Sequence, residues 1–196
     1  GNYFHNRHRA LDQGRVLSVN EAVVICSDDS LAEFLQELAQ APWVAVDTEA
    51  DSLHSYPEKV CLIQVSIEGR DELIDPLAPI DLGPLWKALK GRELMVHGCD
   101  YDLRMFKRDF DFTPSSVFDT KEAARLLGYM EFGLAALVRD VLDVKLDKGS
   151  QKANWSLRPL TARMEEYARS DTRHLFPLVS RLRDDLAECG RIEWHA

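Results

Sequence analysis

The sequence has no apolar run approaching the ~20 residues that a membrane-crossing helix needs. It shows no signal-peptide pattern. Its four cysteines, Cys26, Cys61, Cys99 and Cys189, contain no Cys-x-x-Cys pair. That argues against a structural zinc site and for reduced thiols, so the expected location is cytoplasmic. Internal repeats, low-complexity tracts and Pro/Gly/Ser linkers are missing too. The expected organisation is a polar N-terminal arm over residues 1–20 and a single domain over 21–196. Basic charge is in short supply: 24 Lys and Arg against 33 Asp and Glu give a net charge of −9. This counts against a protein that coats long duplexes by charge alone. It leaves room for an enzyme whose own acids are neutralised by bound cations.

What is present is a chain of 196 residues, 45% hydrophobic, enough for one domain with a sizeable core. The organising stretch is Trp43-Val-Ala-Val-Asp-Thr-Glu49. It reads as a short buried strand ending in Asp47 and Glu49. A strand period of two puts both carboxylates on one face. Like charges held side by side are costly unless a cation sits between them. Asp47 and Glu49 are therefore candidate metal ligands.

Around this stretch the elements alternate. Val24-Ile25 with Val23 is a short extended segment, and Ser30-Leu-Ala-Glu33 is a capping-box pattern that predicts a helix start. Val60–Ile67 is the strongest strand, followed by a tight turn at Glu68-Gly-Arg70 and a hairpin return at Glu72–Asp75. Leu82–Leu89 is a helical stripe, Leu94–His97 a strand, and Leu103, Met105 and Phe106 mark another helix. Ser116–Phe118 is a strand leading to helices around Ala123–Leu127 and Leu134–Val141. A polar loop runs from Lys145 to Pro159, and Thr161 caps a final long helix that Pro177 should kink or interrupt. This order predicts an α/β domain with helices on both faces of a mixed central sheet.

Two further stretches carry acids. His97-Gly-Cys-Asp-Tyr-Asp102 follows a strand, where loops build sites in α/β sheets, and offers Asp100 and Asp102. In Tyr167-Ala-Arg-Ser-Asp171, Tyr167 and Asp171 share one helix face, about 5–6 Å apart at Cβ. Met164, Ala168 and Leu175 turn that face inward, and an inward Asp needs a partner. No inward Arg or Lys is expected at helical spacing, which leaves a metal as the candidate.

Asp47-Thr-Glu49, Asp102 after His97-Gly98, and Tyr167-x-x-x-Asp171 together resemble the three exonuclease motifs of the DEDD superfamily, in its tyrosine branch. The resemblance is to the ribonuclease D family and its exosome-associated relatives, and it covers about residues 43–185. Cys61-Leu-Ile-Gln-Val65, Phe118–Leu127 and Asn154–Leu160 also match, although relatives usually carry Asp where Asn154 stands.

This resemblance implies a ribonuclease H-like (DnaQ-like) exonuclease fold. It further implies two divalent ions, Mg²⁺ or Mn²⁺, held by Asp47, Glu49, Asp102 and Asp171, with Tyr167 orienting the attacking water. Thr48, Leu53, Gln64, His97 and Trp155 fall where relatives hold the terminal nucleotides, and Lys148 and Lys152 could meet phosphate. The implied function is metal-dependent 3′→5′ exoribonuclease action on single-stranded RNA, releasing nucleoside 5′-monophosphates. The alternatives are a DNA exonuclease of the same branch and a non-catalytic nucleic-acid-binding domain. In ribonuclease D helical domains follow the nuclease domain; this chain ends at Ala196 and in that respect resembles the short-substrate, single-domain members.

Overall fold

The computed structural model describes residues 24–147 and 149–195. The expected arm over 1–20, Val23 and Lys148 lie outside the described residues.

Five strands form one sheet. They are β1 (Ala45–Ala50), β2 (Val60–Ile67), β3 (Arg70–Ile74), β4 (Glu93–Val96) and β5 (Ser116–Asp119), in the order β3-β2-β1-β4-β5. β3, β2 and β1 are antiparallel neighbours, while β1, β4 and β5 run parallel. β1 is thus the strand at which the pairing changes sense. Ile25 extends the sheet by a parallel bridge to Ile74.

Helices cover both faces, as the alternation of elements predicts. α1 (Asp28–Gln40), α2 (Gly83–Leu89) and α3 (Asp100–Phe110) pack on one face. Phe34, Leu38, Trp86 and Phe106 meet Val46, Ile63, Val65 and Val96 there. α4 (Thr120–Leu127), α5 (Leu134–Leu142), α6 (Ala162–Arg173) and α7 (Leu175–Glu188) take the other face. β2 is buried along its whole length, which is why its sequence is apolar in both registers.

Two helix boundaries carry lessons. α1 begins a turn earlier than the Ser30-x-x-Glu33 pattern predicts: Ser27 is the N-cap and accepts from the Ser30 backbone N–H at 3.3 Å. Ser30 instead lies inside the first turn and donates its hydroxyl to the Ser27 carbonyl. At the other end of the chain, the expected break occurs. His174 separates α6 from α7, and Pro177 sits at the third position of α7, where its missing N–H costs nothing.

Candidate active site

The antiparallel register pairs Asp47 with Gln64 and Glu49 with Leu62, so both acids stand on the face that α6 covers. α6 brings Tyr167 and Asp171 onto the same ground. Asp102 comes from the first turn of α3, just beyond β4. The Thr48 hydroxyl, from between the two β1 acids, donates to the Asp102 carboxylate. Asp171 accepts a hydrogen bond from the Tyr167 hydroxyl.

The turn that presents Asp102 is held by a residue that sequence reasoning missed. Asp119, the last residue of β5, accepts from the backbone N–H groups of Gly98 at 2.8 Å, Cys99 at 3.0 Å and Lys121 at 2.9 Å. These three donors hold its carboxyl below the usual range despite burial. Gly98 is needed at that turn: its φ is +69°, and a Cβ would meet the Lys121 side chain at 3.0 Å. Asp119 is also the N-cap of α4. Asp119→Ala removes a cap and frees the 97–99 turn. It is expected to cost about 1–2 kcal/mol and to lower the melting temperature by several degrees, measurable by thermal denaturation.

The acids act on one another. Burial, then the charges of Asp102, Asp171 and Glu49, raise the Asp47 carboxyl well above the carboxylate range. Burial, then Asp171 and Asp102, push Glu49 up to about 9. Burial pushes Asp171 to about 7, and Asp102 is raised by burial despite its bond from Thr48. Among the described residues none of these four acids has an ion-pair partner. The expectation of no inward base on α6 needs one correction. Arg169 is buried, but its guanidinium reaches the Asp71 carbonyl of β3 and pairs with Glu165 rather than with the acids.

The donor set tests well for a hard divalent cation: all oxygen, mutually repelling and without counter-charge. Among the described residues no three His, Cys, Asp or Glu side chains are gathered closely enough to hold a metal ion. Thr48 and Tyr167 hold Asp102 and Asp171 by hydrogen bonds instead.

A cleft of about 320 Å³ is lined by two of the four acids, Asp47 and Asp171, with His97, Leu134, Gln151 and Tyr167 among others. A broader groove of about 1030 Å³, lined by Met130, Phe132, Arg139 and Lys145, shares Gly133, Leu146 and Asp147 with it as a common wall. His97 is hydrogen-bonded to Thr120 at 2.9 Å, and burial lowers its pKa to about 4, so it is neutral at pH 7. Leu53 is exposed on the loop after β1. That loop is tied down by Asp51, fully buried, which accepts from both the backbone N–H and the ammonium of Lys59. Gln64 and Trp155 are 0% and 1% exposed, so neither presents a surface to the cleft. Trp155 packs against Tyr167, ring centroids 6.1 Å apart. Arg158 anchors its loop, donating to both carboxylate oxygens of Asp75 and to the carbonyls of Cys61 and Trp155.

The profile of the 3′-5′ exonuclease family matches residues 22–187. This chain belongs to that family. The exonuclease domain is 36% identical over 176 residues to ribonuclease D of Sphingobium indicum, covering 87% of this chain and 45% of that protein. It is 32% identical to the Exosome complex component 10 homolog of Drosophila melanogaster, covering 88% of this chain and 20% of that protein. The chain thus spans less than half the length of these curated relatives. Among solved structures, Escherichia coli RNase D, described as an exoribonuclease involved in structured RNA processing, superposes with a TM-score of 0.80 at 32% identity over 86% of this chain and 46% of that one. The mixed sheet and its flanking helices are therefore the ribonuclease H-like fold of such exonuclease domains. Brucella melitensis NrnC, solved bound to pGG, superposes at a TM-score of 0.71 and 28% identity over 81% of this chain and 80% of that one.

Proposed function

We propose that the chain is a metal-dependent 3′→5′ exoribonuclease that acts on the 3′ ends of single-stranded RNA and releases nucleoside 5′-monophosphates. The observation that carries this reading is the mutual repulsion of four half-buried carboxylates, two of which, Asp47 and Asp171, line one cleft with Tyr167. The ribonuclease D relatives support RNA as the substrate.

Asp47, Glu49, Asp102 and Asp171 would hold two divalent ions, Mg²⁺ or Mn²⁺. When bound, such ions supply a hydroxide-like nucleophile at neutral pH and stabilise the leaving oxygen. The chain's own groups do the rest. Thr48 fixes the Asp102 carboxylate. Without metal, burial, then Asp171, Glu49 and Asp47, raise the pKa of the Tyr167 hydroxyl. Its role in this reading is to orient the attacking water. Neutral His97, on the cleft wall, offers a hydrogen bond without adding charge. The cleft's smallness suits a terminal nucleotide, and the broader groove with Arg139 and Lys145 gives the remaining strand a way out.

Single-stranded RNA and DNA oligonucleotides of one sequence, labelled at the 5′ end, test this in Mg²⁺, Mn²⁺ and EDTA. The expected result is stepwise shortening of RNA from the 3′ end that needs metal. Cleavage surviving EDTA, or internal cutting of a circular RNA, contradicts it. Equal or faster loss of DNA would move the substrate to DNA and keep the chemistry.

A further inference from the structure

Gln64 sits at the centre of β2 with its side chain completely buried, and among the described residues neither its amide nitrogen nor its amide oxygen has a hydrogen-bond partner. An unsatisfied buried amide is costly, and a Leu or Met of similar size would suit a strand that is apolar on both faces. The neighbours on the same face are accounted for. Leu62 packs in the cluster beneath α6, and the Ser66 hydroxyl is bonded to Thr172 at 2.7 Å and to Asp71 at 2.7 Å. Of the β2 side chains on this face, Leu62, Gln64 and Ser66, Gln64 among the described residues is the one with polar atoms lacking a partner.

Its position says what the use is. The β1–β2 register sets Gln64 directly opposite Asp47, so the two side chains leave the sheet on one face with their Cβ atoms about 4.5–5.5 Å apart. A carboxamide at that spacing can reach a carboxylate. We propose that Gln64 is a positioning residue for Asp47, its amide N–H₂ donating to the Asp47 carboxylate when that group is ionised and bound to cation. This rests on the metal-site reading given under Proposed function. The residue type fits the task. With cation bound, Asp47 keeps its charge in a half-buried place and needs donors for its remaining lone pairs. The Thr48 backbone N–H is one such donor. A Lys or Arg opposite would neutralise Asp47 and compete with the metal, whereas a neutral amide orients the carboxylate and leaves its charge available. The role differs from the nucleotide contact expected of Gln64 from sequence, which its burial does not offer.

The test uses the whole chain and Mn²⁺ as the probe. Mn²⁺ dissociation constants are measured by calorimetric titration for wild type and Gln64→Met, well below both melting temperatures, alongside metal-free melting curves. The expected result is a metal-free melting temperature equal to or above that of wild type, with Mn²⁺ binding weakened about 10–100-fold, the range for partners that orient a ligand. Mn²⁺ affinity within about twofold of wild type overturns the proposal. So does a Gln64→Met protein that melts well below wild type or fails to fold without metal, since Gln64 would then serve the sheet. Failure of wild type itself to bind Mn²⁺ would strike the metal-site reading, and is thereby distinguished from failure of this one.

Discussion

Tyr167→Phe is expected to lower kcat by about 10²-fold or more while Mn²⁺ affinity and the folded structure persist. The substitution deletes one oxygen and keeps the ring. That ring packs beside Trp155 in the cluster beneath α6, so stability should change little. What is lost is the hydroxyl that donates to Asp171 and faces the cleft. The pH dependence separates orientation from base catalysis. If the hydroxyl only orients the water, its loss should lower the rate by a similar factor across pH 6–9. A defect that grew with pH would mean that the ionised phenol works as a base. An unchanged kcat would return Tyr167 to core packing.

The second large effect is on stability, and it needs no substrate. Between pH 7 and about 8.5 the metal-free protein should become less stable as pH rises. Glu49 has its folded pKa raised from 4.5 to about 9, and Asp47 is raised well above the carboxylate range. In this window the folded state therefore binds more protons than the unfolded chain, and stability falls with each added increment of pH. His97 has the opposite sign. Its folded pKa of about 4 lies below the ordinary 6.5, so its contribution is lost only as pH falls and is constant above 7. The buried thiols Cys61 and Cys99, pushed up to about 11 and about 12, enter only above their ordinary 9.0. The acids therefore dominate the slope from 7 to 8.5. Asp47→Asn removes one member of the repelling set, so its metal-free melting temperature at pH 8 should exceed that of wild type.

The parts of this fold that could be read from sequence are those whose cause is local. β2 is an apolar run, Asp47 and Glu49 share a face by strand period, and Pro177 ends α6 near His174 because its N–H is missing. The start of α1 is misplaced by the Ser30-x-x-Glu33 pattern because Ser27, one turn earlier, is itself a competent cap, and the preceding segment joins the sheet at Ile25. The clamps were not legible for a different reason. Arg158 meets Asp75 from 83 residues away, and Asp119 meets Gly98 from 21. Nothing in the neighbourhood of either residue hints at its partner. Gln64 shows the limit of motif reasoning: matching stretches placed it near the acids, and only the depth of β2 beneath α6 turned it from a substrate contact into a buried neighbour of Asp47.

The central claim is that Asp47, Glu49, Asp102 and Asp171 form one shared cation site, and the most direct measurement is the melting temperature of wild type and Asp47→Asn at pH 8 with and without Mn²⁺. A ligand at a hundredfold excess over its Kd stabilises the native state by about 2.7 kcal/mol. For a chain of 196 residues that is a rise of about 5–10 °C. The account expects that rise for wild type, a higher starting temperature for Asp47→Asn, and little response of the variant to Mn²⁺; equal responses of the two proteins would contradict it.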